Sequence, residues 1–486
     1  MKILFIDIPV GTLQTNAFAS YLNDALSMRN DKIVRECLVD KHGVNMPGTK
    51  TYSLGVLCIA TALKKRGENV TYTLADDENK ILNLISEANN YDAILFSAKT
   101  TTYPKCLEVA EKCKKVNNKT KIIFGGPHCT ALPEKVVIEP SIDFVCLGEG
   151  EDTICELIAS IENNQDFSRI KGIAYIDDAG SAIITGKRPL CRDLNAFPDP
   201  DFELLEGEVG EYHIYIETGR GCLHNCSFCA NPTLWDRQVR RVNPKRTYDK
   251  LKELSEKLPP NTLVHIVDPA FGIDISDLEL CKLLIDNPLP LKFSCDICAM
   301  NVEEELVRLL YDAGFVMFCV GIENCENNIL QKNKKPATFE IIRKACRIIR
   351  ESCDALIKTY WIIGLPGETE VSARNNRNTI IDMLRNKEFD ICCEHIFVPY
   401  PGCEVFADPK KYNYHICHYD WERYDARTFP LPGESNTFSM ENAYISYLDL
   451  LRAECEVLGL NQYYDRDKLL KQQDTVGFLE HKKRFV

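Results

Sequence analysis

The chain has 486 residues, 45% hydrophobic and 27% charged, so it can build two or three domains with real cores and is neither disordered nor fibrous. A net charge of −13 excludes a protein that grips nucleic acid through a broad basic footprint, though not one that binds a nucleotide-sized ligand. The N-terminal run Met1 to Pro9 lacks the longer apolar core and cleavage site of a signal peptide, and no window approaches the ~18 apolar residues of a membrane helix. A cytoplasmic location with reduced cysteines and no membrane partner is therefore expected.

Through residue 195, short β-rich runs alternate with helical patterns, which predicts a doubly wound (Rossmann-like) parallel sheet in an α/β domain. Ile3 to Ile8 is the first strand. Leu54 to Arg66 reads as a helix stopped by Gly67, followed by a strand from Asn69 to Leu74. A strand from Ala93 to Ser97 runs into the polar loop Ala98 to Pro104, with a helix near Cys106 to Lys115 beyond it. Strands Lys121 to Phe124 and Phe144 to Leu147 run into Gly125-Gly126-Pro127-His128 and Gly148-Glu149-Gly150-Glu151. Loops of small and polar residues at successive strand ends make a crevice along one sheet edge the expected binding place. Gly172 to Pro200 reads as a hairpin turning at Asp177 to Gly180, and residues 196–211 as a linker.

From Tyr212 the alternation resumes. Strands are expected at Tyr212 to Thr218, Leu263 to Val267, Leu291 to Cys295, Val316 to Val320, Ala355 to Ile363 and Ile391 to Val398, with a helix at Val302 to Ala313. This predicts a partial or full βα (TIM-like) barrel over 212–405, with functional groups at strand ends. Residues 406–486 form a small, mostly helical cap, with an aromatic stretch from Tyr412 to Tyr424 and two helical patterns. Most cysteines, such as Cys58, Cys106 and Cys155, fall in apolar periodic segments and are expected as small buried hydrophobes.

Cys222, Cys226 and Cys229 differ from these, because x3 and x2 spacing can present three thiolates to a [4Fe-4S] cluster and leave the fourth iron open. With 23 cysteines, such a string arises by chance in about one chain in twenty. The strand before it and the glycines Gly219 and Gly221 raise its weight by placing it on a loop at a strand's carboxyl end.

With Phe228 before Cys229, the triad resembles that of the radical S-adenosylmethionine superfamily, and later segments appear in that superfamily's order: Gly321 to Asn324, Lys334 to Thr338, Ile363 to Thr369 and Pro399 to Gly402. Ser53-Leu54-Gly55, Gly125 to His128, Ala131 to Glu134 and Gly148 to Glu151 resemble the B12-binding domain of its cobalamin-dependent branch. The resemblance covers roughly residues 1–405. It implies three cofactors: a [4Fe-4S] cluster on the triad, S-adenosylmethionine on its open iron, and cobalamin on the first domain. Cleavage of S-adenosylmethionine by the reduced cluster would yield a 5′-deoxyadenosyl radical that takes a substrate hydrogen. The resemblance also implies Glu323 as a ribose acceptor, with a helix N-cap as its plainer alternative. Gly364 and Gly367 would let backbone approach adenine or simply make a tight turn. Cobalamin contacts would come from Ser53, Leu54, Gly55, Ser97, Thr100, Thr101, Gly125, Gly126, His128, Glu149 and Gly150. No D-x-H-x-x-G string supplies a histidine for the lower face of cobalt.

Other groupings carry less. Cys295 and Cys298 are half a metal site, Cys392, Cys393 and His395 lie on a strand pattern whose neighbours face opposite sides, and Cys403, Cys417 and His418 could make an auxiliary cluster only with a further residue. Asp268 and Asp296 are candidate polar contacts at strand ends. The expected reaction is methylation of an unactivated carbon in a small molecule or peptide, with an electron donor such as flavodoxin or ferredoxin. The alternatives are a radical cyclisation, oxidation or rearrangement on the same machinery, and a non-catalytic cobalamin or redox sensor. A methylthiolating enzyme would need three further cluster cysteines and a basic tail, which this sequence does not offer.

Overall fold

The computed structural model describes residues 1–9, 30–46, 48–426 and 429–459. These divide into two compact units, one of residues 1–9, 48–214 and 233–242, the other of 30–46, 215–232, 243–426 and 429–459. Among the described residues no helix is long and apolar enough to cross a membrane. None of the 23 cysteines is joined in a disulfide, and Cys58, Cys106 and Cys155 are buried as expected.

The first unit is built on seven strands: β1 (Lys2–Asp7), β2 (Asn69–Leu74), β3 (Ala93–Ser97), β4 (Lys121–Gly125), β5 (Phe144–Cys146), β6 (Ile173–Ile176) and β7 (Ala182–Ile184). Their order is β2-β1-β3-β4-β5-β6-β7. The first five pair in parallel, and β6 and β7 add the expected antiparallel hairpin. The order 2-1-3-4-5 is that of a doubly wound, flavodoxin-like sheet, whose strand order reverses at β1 and β3 and opens a crevice there. Ile3 to Ile6 and Ile94 to Phe96 are buried without alternation because helices cover both faces of a parallel sheet.

Two local expectations shift. The helix placed near Cys106 spans Tyr103–Val116, because Pro104 sits in its first turn, where a missing N–H costs no intrahelical bond. For the same reason Pro127 opens a short helix, Pro127–Ala131, so the loop after β4 shrinks to Gly126.

The second unit contains the six-stranded sheet of a partial barrel. In spatial order its strands are Ile391–Ile396, Leu356–Ile363, Phe315–Glu323, Leu291–Ile297, Thr262–Phe271 and Ile214–Ile216. The first five pair in parallel. Asp268, expected just past a strand end, lies inside Thr262–Phe271, where the register slips between Ile266 and Phe271. The helix Met440–Val457 packs on the helix Glu370–Arg385 and on the last strand. The second helical pattern expected near the C-terminus lies outside the described residues.

Candidate active site

The cysteine loop follows the short strand Ile214–Ile216, and Gly221, at φ 96°, turns the backbone before the first thiol. Its geometry is set from outside the loop. Ser227 N donates to the Asn333 carbonyl and Ser227 Oγ to Asn333 Oδ1, both at 3.0 Å. The Asn333 amide donates to the carbonyls of Ile329 (3.0 Å) and Pro366 (2.9 Å). Val405 N donates to the Ser227 carbonyl at 3.1 Å, and Phe228 packs into the apolar cluster of Ile329, Leu365, Phe397 and Val405. Residues 227 and 228 thus anchor the loop while all three cysteines stay half-buried. Burial pushes the three thiols up, Cys226 to about 12; Cys226 lies in the field of both others, Cys229 in that of Cys222, and Cys222 in that of Cys298. Thiols so placed hold their protons against water and release them to a bound cation.

Glu323 ends the strand Phe315–Glu323 buried and at φ 68°, a left-handed conformation that a non-glycine residue adopts at a cost. Lys335 Nζ donates to its Oε1 at 3.0 Å, and that ammonium also acts electrostatically on Cys226. The N-cap alternative for Glu323 fails, since the next helix, Asn327–Lys332, has Glu326 at that position. Gly364 and Gly367 take φ of 86° and 99°, so the turn itself requires glycine. A Cβ on Gly367 would also come within 2.8 Å of the Lys332 side chain. Glu368 closes this turn, accepting from Gly364 N and, at 2.8 Å, from the Asn324 amide. Burial raises its carboxyl to about 7.

In the first unit the strand-end loops meet as expected, but several expected contacts are already engaged. Asp7, the last residue of β1, accepts from Ser53 N (2.7 Å), Ser53 Oγ (2.8 Å) and the Tyr72 hydroxyl (2.6 Å). Ser53 therefore precedes its helix as the partner of a buried carboxylate. Glu149 is buried and ion-paired to Arg240 at 2.8 Å, and it also accepts from Cys191 N at 2.9 Å. His128, expected on a ligand-binding loop, lies in the core instead. Its ring stacks on Tyr103 with centroids 4.4 Å apart, Nδ1 is 3.3 Å from Thr100 Oγ1, and burial lowers its pKa to about 4. A Cβ on Gly126 would approach Ser97 Oγ and the Ala98 carbonyl to 2.9 Å, and one on Gly150 would meet Ile59 at 2.5 Å, so both glycines serve loop packing. Gly125 ends β4 over Cys146, and Leu54 begins the helix Leu54–Lys65. Open space remains over Gly55 and Gly148, where a Cβ would meet nothing within 4 Å, and Thr101, in the loop after β3, is half-buried.

The family model of the B12 binding domain matches residues 43–158, and that of the radical SAM superfamily matches residues 216–376. The chain belongs to the radical SAM superfamily, in the branch that carries a B12-binding domain. Its cofactors are a [4Fe-4S] cluster, S-adenosylmethionine and cobalamin. An uncharacterized methyltransferase of Pyrococcus horikoshii is 24% identical over 74% of this chain and 78% of its own length. The anaerobic magnesium-protoporphyrin IX monomethyl ester cyclase of Rubrivivax gelatinosus is 24% identical over 65% of this chain, which spans only 58% of that protein. Among solved structures, the radical S-adenosylmethionine methyltransferase TsrM from Kitasatospora setae, with cobalamin and a [4Fe-4S] cluster bound, aligns with a TM-score of 0.66. It is 15% identical, over 94% of this chain and 89% of its own, a likeness of fold.

This superfamily's groups fit the residues present. Three half-buried thiols on an anchored loop suit a cluster, and open glycine backbone along the crevice suits a large flat ligand. Sequence reasoning missed Asp7, Tyr72, Arg240, Asn333 and Lys335, each of which acts through a partner at least 12 residues away. Cys295 is buried while Cys298 Sγ lies 3.8 Å from His224 Nε2. Cys392 is buried on the sheet face opposite Cys393 and His395, as strand alternation requires, and its thiol lies within 4.8 Å of buried Glu394 and Glu454. Cys403 is buried and caps the short helix Glu404–Ala407.

Proposed function

We propose that the chain methylates an unactivated carbon of a small molecule or peptide. When bound, the cluster with S-adenosylmethionine supplies a hydrogen-abstracting radical, and cobalamin supplies the methyl group. Cys222, Cys226 and Cys229 would hold three irons and leave the fourth for the amino and carboxylate groups of S-adenosylmethionine. Glu323 would accept from the ribose hydroxyls, its carboxylate held in place by Lys335. The backbone around Gly364 and Gly367 would lie along the adenine. Gly55, Thr101 and Gly148 would line the cobalamin crevice, with residues 1–195 as its domain, 212–405 as the barrel and 406–486 as a cap.

The observation that carries this reading is the cysteine loop held at a strand's carboxyl end by Asn333 and Phe228, with Glu323 and Lys335 beside it. A methyltransferase among the relatives supports the reaction. Ring formation by the same machinery is the second reading, supported by the cyclase relatives. We place the protein in a reducing cytoplasm, which suits cysteines outside disulfides and a flavodoxin or ferredoxin as electron donor.

The test is anaerobic reconstitution with iron, cobalt and optical measurements, followed by reduction in the presence of S-adenosylmethionine. One cobalt and about four irons per chain, with release of 5′-deoxyadenosine, are expected. Failure to cleave S-adenosylmethionine would overturn the reading, and a loaded, cleaving enzyme that takes up no cobalt would eliminate methyl transfer.

A further inference from the structure

One face of the second unit's sheet carries opposite charges that the cysteine loop does not use. Strand register sets Asp296 beside Cys319 and Cys319 beside Lys358, and paired residues of parallel strands share a face. His265 and Ser294 are the register pair next to them. Asp296 keeps 37% of its side chain exposed and Lys358 is half-buried, while Cys295, Ile297, Ile357 and Thr359 beside them along the strands are buried. The two charges therefore open onto one side of the sheet. Two strand spacings, about 10 Å, separate their backbones.

These charges do not close on each other. Among the described residues Lys358 makes no hydrogen bond or ion pair, and its ammonium lies 5.1 Å over the Tyr360 ring. Among the described residues the nearest polar approach to Asp296 is that of His265 Nε2 at 3.8 Å, too long for a hydrogen bond, and its carboxyl lies in the fields of Lys358 and Asp268, while His265 Nδ1 is taken up by Ser294 Oγ at 3.0 Å. A carboxylate and an imidazole nitrogen facing across that gap leave a seat for a donor cation. Lys358 offers a seat for an anion two strands away. Burial lowers His265 to about 4, so the ring is neutral at physiological pH, and Nε2 is an acceptor in the tautomer whose Nδ1–H donates to Ser294 Oγ.

We propose that this face binds the head group of a zwitterionic small molecule, an α-amino acid or a compound with the same end. Its carboxylate sits on Lys358 and its ammonium between Asp296 and His265. The proposal rests on the methyl-transfer reading and names the substrate class for it.

The test is calorimetric titration of the full, reconstituted chain with the twenty common amino acids, S-adenosylmethionine present and reductant absent. Each amino acid is compared with its N-acetyl and methyl ester forms. At least one free amino acid should bind, with either blocked form weaker by about tenfold or more, and Lys358→Gln and Asp296→Asn should each weaken it by about tenfold to a hundredfold. The blocked ligands are measured on the wild-type chain, so misfolding of a variant cannot decide the result. Binding of no amino acid, or binding indifferent to both blocking groups, overturns the proposal. Loss of wild-type S-adenosylmethionine cleavage with amino-acid binding intact overturns the methyl-transfer reading alone.

Discussion

The strand-end loops of the two units treat polar side chains in opposite ways. In the first unit they are consumed internally: Asp7 holds Ser53 and Tyr72, Glu149 holds Arg240, and His128 stacks in the core. What stays open is glycine backbone at Gly55 and Gly148. In the second unit the internal bonds run through Ser227, Asn333 and Glu368, and the three thiols are left half-buried for chemistry. A crevice for a large cofactor is made by shape, so its charges are paired away. A reactive loop is made by positioning, so its bonds are spent on the residues between the reactive ones.

The largest expected effect tests the second half of this contrast. Cys226→Ala should lose the cluster's iron and bring S-adenosylmethionine cleavage to background, read by iron assay and 5′-deoxyadenosine release. Asn333→Ala comes next, because it removes three side-chain hydrogen bonds and strands buried partners. A loss of about 3 kcal/mol in denaturant unfolding is expected, with reduced iron retention. Iron retention unchanged at that cost would break the link between anchoring and the cluster.

Asp7→Asn tests the first unit. Its amide would face donors where the carboxylate accepted, so a loss of about 2 kcal/mol and weaker cobalamin retention are expected. The pH response should differ in sign between the units. His128, lowered from 6.5 to about 4, binds fewer protons folded than unfolded, so its contribution is present above pH 6.5 and is lost as pH falls toward 4. Glu368, raised from 4.5 to about 7, binds more protons folded, so its contribution is full below pH 4.5 and declines as pH rises to 7. His128→Phe and Glu368→Gln should flatten opposite slopes of stability against pH, each by on the order of 1 kcal/mol. The smallest effect belongs to the exposed pair Glu304–Arg308, where Glu304→Ala should change stability by under about 0.5 kcal/mol.

Much of the plan was legible from neighbouring residues. Buried runs such as Ile94 to Phe96, the hairpin at Asp177 to Gly180 and the x3, x2 spacing of Cys222, Cys226 and Cys229 are local patterns, and each element formed where its pattern lay. Pro104 and Pro127 misled only by seeming to end loops when they open helices.

Partner choice was not legible, because the partners are distant in sequence. Asn333 meets Ser227 across 106 residues, and Arg240 meets Glu149 across 91. Glu149 and His128 read as ligand contacts because a strand-end carboxylate or imidazole is indifferent, as a letter, to whether it faces solvent, a ligand or an internal partner. Burial decides among these, since a polar group taken from water must be paired. Spacing therefore identified which thiols could hold a cluster, while packing across the sheet decided which polar groups remain available to a ligand.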